Sequence, residues 1–229
     1  MSTVVRTNIG CNFAGTFVNL LAYADDLVLL APSWRGMQIL LNTVQDAASK
    51  IKRSFNTKKT VCMVFNLTNK GKCVANSFPD FTLSGCKLDF VKQFKYLAHI
   101  IDHSCSDDSD INREVKNLFM RTNILCRRFK RCSLHVKVRL FRTFCLCMYD
   151  TALWANFSAG AMNMFASCYN KCMKSFFGYP KYSSVTSMLF DVGLPSFNTL
   201  LHNSSVNFQN KLAGCDNGLV RLMVQHFHL

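Results

Sequence analysis

The sequence predicts an α+β protein in which antiparallel strands with one packing helix are followed by an all-helical region. Short apolar runs separated by turn residues fill residues 1–103, a pattern typical of strands. Beyond "SCSDDSD" (104–110) apolar residues recur at helical spacing. The chain has 229 residues and is 49% hydrophobic, which is enough for a real core. We therefore predict two domains, residues 1–103 and 104–229.

The first predicted element is a hairpin within "FVNLLAYADDLVLLAPS", residues 17–33. Two apolar strands meet at Ala24-Asp25, and Pro32 closes the second strand. Burying an ionised carboxylate is costly without compensation, so Asp25 and Asp26 must either occupy an exposed turn or hold a cation. Successive side chains of a regular strand point to opposite faces, so a tight turn is needed for both acids to face one site.

A helix capped by Ser33 is expected next, and it should cover the other face of the hairpin. Its apolar positions follow the 3.6-residue period of one helix face: Met37, Leu40, Leu41, Val44, Ala47, Ala48 and Ile51. Further strands are predicted at about 60–65, on either side of Ser84-Gly85, and over "FKYLAHII" (94–101), which ends near Asp102.

The helical region opens with acids at a helix N-terminus, where negative charge is favourable. Its first helix carries a narrow apolar stripe of Ile111, Val115, Leu118, Thr122, Leu125 and Phe129. Basic residues fall mainly on the opposite side: Arg113, Lys116, Arg127, Arg128, Lys130 and Arg131. A second helix offers Val138, Phe141, Phe144, Met148 and Leu153 for burial, and further helices are predicted at 160–177, 184–191 and 196–213.

The net charge of +14 favours a polyanionic partner, which charge alone leaves as nucleic acid or an anionic membrane surface. The most apolar windows, 17–33 and 138–157, are interrupted by charges, which argues against a membrane span and a secretory signal. No Cys-x-x-Cys pair occurs among the 12 cysteines, so we expect reduced, mostly buried thiols. An intracellular protein of the nucleus or cytoplasm is expected.

Three segments occur in a recognisable order: "LLAYADDLVLLAPS", "FNTKKTVCMVF" and "VKQFKYLAHII". With the Tyr-x-Asp-Asp box, the Asn-x-x-Lys-Thr block and the Phe-Lys-Tyr-Leu strand, they resemble the C-terminal half of a non-LTR retrotransposon (LINE-type) reverse transcriptase. The segments "LFRTFCLCMYDTALW" and "SSVTSMLFDVGLPSF" resemble the region that follows the polymerase core, so the resemblance spans nearly the whole chain. It implies part of a polymerase palm over 1–103 and a thumb-like region over 104–229.

The resemblance also implies a role for each matching residue in two-metal nucleotidyl transfer with Mg²⁺. Asp25 would be a principal metal ligand, Asp26 a neighbouring carboxylate, and Tyr23 a residue near the primer end and the incoming nucleotide. Lys59 would assist the departing pyrophosphate. Taken from the residues alone, the acids fit an ordinary exposed turn and Lys59 a solvated surface lysine.

The primer would be gripped by the Phe94–Ile101 strand through Phe94, Tyr96 and Leu97. In that strand Ala98 stands where the family usually has Gly, and a methyl group disfavours a positive φ. The basic thumb face, from Arg113 to Arg131, would contact the backbone of an RNA template and a DNA primer; the alternative is a merely soluble helix face. Deoxynucleoside triphosphates would be the substrates.

A polymerase site also needs a third carboxylate, yet residues 1–24 contain no Asp or Glu. We therefore expect a reverse transcriptase fragment that is inactive without an upstream fingers and palm segment, supplied in a longer chain or in trans. The alternative is a non-catalytic remnant of a retroelement that binds RNA or DNA. A third hypothesis is a decayed reading frame whose half palm exposes apolar surface.

Overall fold

A computed structural model describes residues 7–13, 15–65, 78–148 and 150–227. The chain divides into two compact units, Met1–Lys92 and Gln93–Leu229. This division falls earlier than the boundary predicted between the palm-like and thumb-like parts at 103/104. The reason is that the backbone N–H of Ile100 donates to the carboxylate of Asp110 at 2.9 Å, which ties the residues before 103 to the helix that follows.

Within its described residues, the first unit contains two-stranded sheets and one helix. The strands are β1 (Cys11–Phe13), β2 (Thr16–Val18), β3 (Leu20–Tyr23), β4 (Asp26–Leu29), β5 (Val61–Cys62), β6 (Thr82–Leu83), β7 (Cys86–Lys87) and β8 (Asp89–Phe90), with helix α1 at Trp34–Lys50. Three pairs are antiparallel, β1–β2, β3–β4 and β6–β7. The fold is thus a mixture of helix and small strand pairs, compatible with the predicted α+β class.

One pair departs from the predicted antiparallel arrangement, because β5 and β8 run parallel. The strand predicted at 60–65 is reduced to Val61–Cys62, and its partner comes from a segment almost thirty residues further along the chain. Two residues form few ladder hydrogen bonds, so this pairing depends on the packing of the segments around it.

Helix α1 begins and packs as predicted. The hydroxyl of Ser33 accepts a hydrogen bond from the backbone N–H of Gly36 at 3.2 Å, which satisfies a free donor of the first turn. Leu40 and Val44 are buried against the hairpin residues Leu20, Leu27 and Leu29. The prediction for Ile51 was wrong: it is 70% exposed, since the helix ends at Lys50 and the chain turns away.

A second small cluster anchors the 82–87 hairpin to the same helix. Leu41 packs with Phe81, Leu83 and Leu88. The turn at Ser84-Gly85 has positive φ at both residues, +52° and +74°, as the twist of a two-residue hairpin requires. The predicted hairpin is therefore confirmed.

The second unit begins with a hairpin that the sequence did not predict. Strands β9 (Gln93–Tyr96) and β10 (His99–Asp102) pair antiparallel, so the single strand predicted over 94–101 was wrong. The chain reverses at Leu97-Ala98, where both φ angles are positive, +46° and +73°.

Helices make up the rest of this unit: α2 (Asp108–Phe129), α3 (Leu134–Cys145), α4 (Ala159–Phe177), α5 (Val185–Val192), α6 (Phe197–Ala213) and α7 (Gly218–Phe227), with a 3₁₀ turn at Thr151–Leu153. The helices predicted at 160–177, 184–191 and 196–213 are confirmed to within a residue at each end. Helix α7 was missed.

One continuous cluster of buried side chains joins α2 to α6 and includes Ile111, Leu118, Leu125, Phe141, Phe165, Tyr169, Phe176 and Phe197. The predicted stripe of α2 faces this core, with Val115 and Phe129 packed at its margin. Burial was wrongly predicted for two residues. Phe144 lies within α3 but on its exposed side, and Leu153 is exposed because α3 ends at Cys145 and its period does not continue to that residue. The described cysteines are free thiols as expected, but only Cys145, Cys168 and Cys172 are buried.

Candidate functional site

The β3–β4 hairpin presents its two faces to different surroundings. Its cross-strand pairs are Leu20↔Leu29, Leu21↔Val28, Ala22↔Leu27 and Tyr23↔Asp26. Directly opposed residues share a face and neighbouring positions alternate. Leu27 and Leu29 pack on α1, so the side chains of Tyr23 and Asp26 lie on the other face of the hairpin.

A two-residue turn at Ala24-Asp25 connects these strands. Ala24 has a φ of +50°, in the left-handed region that such a tight reversal needs. Tyr23 is 63% exposed, and Asp25 and Asp26 are exposed as well. The apparent contradiction of two charges within an apolar run is thereby resolved, because the turn brings both carboxylates to the surface.

The chemistry of these carboxylates fits a hard divalent cation. Among the residues that the structure describes, neither Asp25 nor Asp26 forms an ion pair with a basic side chain. Mg²⁺ is usually held by one or two carboxylates while it keeps several waters, so an exposed acid pair at a turn suits it. Both acids of the turn are therefore exposed oxygen donors, which makes them candidate ligands for such a cation.

Lys59 stands on a separate turn of the first unit. The carbonyl oxygen of Asn56 accepts hydrogen bonds from the N–H groups of Lys59 (3.1 Å) and Thr60 (3.0 Å), and the side-chain oxygen of Asn56 lies 3.3 Å from the N–H of Lys59. Phe55, next to this turn, packs against the cluster of Leu40 and Val44 on which the hairpin also lies. The Asn-x-x-Lys-Thr block thus forms a capped turn that leaves Lys59 exposed, and no ion pair joins Lys59 to Asp25 or Asp26.

The residues predicted to grip a primer belong to the second unit. Phe94 and Leu97 are exposed on the β9–β10 hairpin, and Tyr96 is half-buried. Ala98, where the resembled family usually has Gly, nevertheless adopts a left-handed φ of +73°. For a residue with a Cβ this conformation costs about 1–2 kcal/mol, so the turn is formed at the expense of strain.

Five of the six predicted nucleic-acid-binding residues form an exposed basic surface at α2 and its end: Lys116, Arg127, Arg128, Lys130 and Arg131. Lys116 and Arg127 are eleven residues apart on the side of α2 opposite to its buried stripe, about 16 Å along the helix axis. Phe119 and Met120 are exposed between them. This surface therefore alternates positive charge with apolar side chains.

Arg113 does not join that surface. Its guanidinium donates to Asp110 from Nε at 2.7 Å, and to Asp150 from a terminal nitrogen at 2.7 Å. Its side chain is mostly buried in this ion-pair network. The charge of Arg113 is thus neutralised within the protein, a use that the sequence did not reveal because Asp150 lies 37 residues away.

Asp110 is the centre of the network and is fully buried. Its carboxylate also accepts from the indole N–H of Trp154 at 2.9 Å, and Nδ1 of His99 lies 3.1 Å from it. Burial alone would raise the pKa of Asp110, but hydrogen bonds from Arg113, Ile100 and Trp154 and the charge of His99 bring it below its ordinary value of 3.8.

His99, Asp110 and Asp150 also satisfy the spacing of metal ligands, since one ligand atom of each lies within 4.8 Å of the others. The guanidinium of Arg113 already supplies the positive charge at this position, and the oxygens of Asp110 are taken by N–H donors. In this structure the group is therefore an ion-pair network in which Arg113 bridges Asp110 and Asp150.

Comparison with known proteins gives a weak but informative similarity. The chain is 29% identical over 104 residues to the Retrovirus-related Pol polyprotein from type-2 retrotransposable element R2DM of Drosophila melanogaster. The similarity covers 43% of this chain, which spans about a tenth of the relative (10%). No protein family model matches the chain. This similarity supports a retrotransposon-related origin.

In the part of the chain that the structure describes, no helix combines the length and the apolar character that crossing a membrane demands.

Proposed function

We propose that this chain is part of an RNA-directed DNA polymerase of the non-LTR retrotransposon type, in which the β3–β4 hairpin carries metal-binding carboxylates. The observation that carries the proposal is the exposed Asp25-Asp26 pair at a tight turn whose opposite face is fixed on α1. The similarity to a retrotransposon Pol polyprotein supports the same conclusion.

In this proposal Asp25 and Asp26 hold Mg²⁺, which neutralises charge on the phosphates during transfer when it is bound. Tyr23 shares the exposed face of the hairpin with Asp26, so its ring can contact the primer end or the incoming nucleotide. Lys59 provides a positive charge and a proton for the departing pyrophosphate. The turn capped by Asn56 holds the backbone from which Lys59 extends.

The basic surface from Lys116 to Arg131 would bind the phosphates of an RNA template and a DNA primer, with Phe94, Tyr96 and Leu97 against the primer. Phosphate contacts of this kind position a duplex without reading its sequence. Arg113 is left out of this role because Asp110 and Asp150 occupy its guanidinium. A further polymerase segment, in a longer chain or in trans, would supply the third carboxylate.

Primer extension tests the catalytic proposal. A DNA primer annealed to an RNA template is incubated with Mg²⁺, deoxynucleoside triphosphates and the chain together with an upstream polymerase segment. We expect incorporation to fall by at least about a hundredfold with Asp25→Asn, because a metal ligand is lost. Asp46→Asn is the matched control, since Asp46 is an exposed acid on α1 of the same unit.

A direct binding measurement accompanies the assay. Titration of the 229-residue chain with Mn²⁺, followed by electron paramagnetic resonance, should show a site that Asp25→Asn weakens and Asp46→Asn preserves. Equal Mn²⁺ binding by both variants, together with equal incorporation, would refute the assignment of the hairpin as the metal site.

The second candidate function is that of a non-catalytic RNA- or DNA-binding protein, which the exposed basic surface of α2 favours. Binding to an RNA–DNA duplex should weaken steeply between low and moderate salt, because each phosphate contact releases a counterion. Incorporation that depends on Asp25 would exclude this candidate. Salt-sensitive binding without any incorporation would favour it.

A further inference from the structure

A surface cavity lies on the solvent side of helix α4, beneath the loop that follows it. Its volume is about 500 Å³, and its lining includes Ser167, Asn170, Lys171, Lys174, Lys181 and Tyr182. Pockets of about 300–1,000 Å³ are the usual size for small ligands and nucleotides. None of these residues takes part in the polymerase functions proposed above.

The loop over the cavity has a defined structure. Gly178 ends α4 in the left-handed conformation, with a φ of +83°, which a residue with a Cβ rarely adopts. The N–H groups of Gly178 and Tyr179 both donate to the carbonyl of Lys174, at 3.0 and 2.9 Å. The chain therefore folds back over the helix that it has just left.

Lys174 fixes the far side of this loop. Its ammonium group donates to the carbonyl oxygens of Lys181 at 2.8 Å and Ser183 at 2.7 Å. These bonds hold the loop in place across the end of α4. The cation of Lys174 is consequently used within the protein, and it shapes the cavity instead of serving as its main binding charge.

Two other lysines leave the cavity strongly positive. Lys171 and Lys181 are exposed, and neither forms an ion pair with a described acid. No acidic residue lines the cavity, and Asp191 accepts a hydrogen bond from the hydroxyl of the lining residue Tyr179 at 3.2 Å. Such a site favours an anionic ligand.

The rim of the cavity carries an aromatic ring that is almost wholly in water. Tyr182 is 90% exposed, and Nζ of Lys181 lies 5.5 Å from the centroid of its ring. The ammonium group therefore lies over one face of the ring. An exposed aromatic ring with a cation close to it is the combination used by proteins that bind single-stranded nucleic acid, in which the ring stacks on a base and the cation meets the phosphate.

We infer that this cavity binds unpaired nucleotides of a single-stranded RNA or DNA, with Tyr182 stacked on a base and Lys171 and Lys181 on the flanking phosphates. The inference rests on the proposed function only for the partner class, nucleic acid. It adds a second contact that differs from the basic surface of α2, because a paired base hides the face that Tyr182 would need. An acidic peptide would satisfy the lysines but leave Tyr182 without a role.

Fluorescence anisotropy with labelled twelve-nucleotide oligouridine and oligothymidine probes tests the inference on the full chain. Tyr182→Ala should weaken binding by about tenfold or more, the effect of losing one stacking interaction. Tyr182→Phe should keep near wild-type affinity because it retains the ring. Lys171→Ala combined with Lys181→Ala should weaken binding and reduce the slope of affinity against salt.

Two substitutions serve as matched controls. Phe190 is 89% exposed in the same unit but lies outside the cavity, so Phe190→Ala should leave binding unchanged. Lys211→Ala removes an exposed lysine of α6 and should have little effect. Equal losses for Tyr182→Ala and Phe190→Ala would overturn the inference, as would a Tyr182→Ala variant that binds like wild type.

Two further measurements distinguish an acidic peptide from a nucleotide as the ligand, and the cavity from the polymerase site. A labelled oligoglutamate that binds as tightly as the oligonucleotides, and does not respond to Tyr182→Ala, would refute the nucleotide assignment. Asp25→Asn should leave oligonucleotide binding unchanged while it abolishes primer extension. An incorrect cavity assignment and an incorrect polymerase proposal would therefore give different results.

Discussion

The two units of the chain bury their side chains in very different ways. The first unit has small clusters, one around Leu41 and Leu83 and one around Leu40 and Val44, beneath two-stranded sheets. The second unit has one continuous core that runs from Ile111 to Phe197. The candidate metal ligands thus lie on the unit with the smaller cores, whereas the basic surface and the nucleotide cavity lie on the larger core.

The difference follows from the lengths of the elements. Helices such as α2 and α4 present apolar stripes five or six turns long, and neighbouring stripes can interlock over their whole length. Strands of two to four residues offer only one or two side chains to each face. Among the described elements, α1 is the helix that supports the hairpin bearing Asp25, and the hairpin depends on this packing for its stability.

Truncating one core side chain in each unit should give the largest losses of stability and so test the difference between the two cores. Phe141 is fully buried and its ring lies within 5.6–6.3 Å of Tyr169, Phe176 and Phe177 by centroid distance. Phe141→Ala should destabilise the second unit by about 3–5 kcal/mol. Leu40→Ala should destabilise the first by about 2–3 kcal/mol, the lower part of the leucine range, because a small cluster can collapse around the gap.

The two tryptophans make these effects separable. Trp34 belongs to α1 and Trp154 to the core of the second unit. Fluorine NMR of the 5-fluorotryptophan-labelled chain in urea should therefore give one resonance per unit. Each substitution should shift the midpoint of its own resonance, and equal shifts of both resonances would contradict the division into two units.

Removal of the buried charge of Asp110 is expected to have the next largest effect. Asp110→Asn leaves Arg113 with one carboxylate fewer and weakens the bonds from Ile100 and Trp154, which should cost about 3 kcal/mol in the second unit. Urea unfolding, followed through Trp154 in a Trp34→Phe background, measures the loss. Asp46→Asn should change stability by less than about 0.5 kcal/mol, as surface substitutions usually do.

Asp110 should also make the stability of the second unit fall at acid pH. Because the folded-state pKa of Asp110 lies below its ordinary value of 3.8, its stabilisation is complete above about pH 4 and is lost as pH falls through the lower, folded-state pKa. Asp102 adds to this dependence, since hydrogen bonds from Ser104 lower its pKa. The stability of wild type should fall more steeply below pH 4 than that of Asp110→Asn, and parallel profiles would refute the assignment.

The smallest expected effect concerns the β9–β10 turn. Ala98 has a φ of +73°, which glycine adopts without the steric cost that a Cβ brings. Ala98→Gly should stabilise the second unit by about 0.5–1 kcal/mol, after allowance for the greater freedom of glycine in the unfolded chain. Ala98→Val should destabilise it, and urea midpoints that move the other way would show that the turn is not strained.

The sequence predicts the parts of this fold that local patterns specify. Ser33 and the spacing of Leu40 and Val44 predict the helix that covers the hairpin. The break between two apolar runs at Ala24-Asp25 predicts the hairpin turn. The exposure of the acid pair also follows from that turn. Local periodicity is sufficient in these cases because the residues that decide the structure are neighbours in the chain.

Other features depend on contacts that no local pattern contains. The reversal at Leu97-Ala98 uses neither glycine nor asparagine, so its segment looks like one strand. The parallel β5–β8 pair and the link from Arg113 to Asp150 each join residues far apart in sequence. The cavity above α4 escaped prediction because its shape comes from backbone carbonyls held by Lys174, which the sequence does not display.

The anchoring of Ile100 to Asp110 determines where a shortened version of this protein could begin. A helical domain excised from Ser104 onwards would lack the N–H of Ile100 and the imidazole of His99, and would leave a buried carboxylate short of two partners. A shortened protein should instead begin at Gln93, so that it retains the β9–β10 hairpin together with the helices. Isotope-labelled samples cut at that point would let the nucleotide cavity be mapped by NMR in a protein of little more than half the full length.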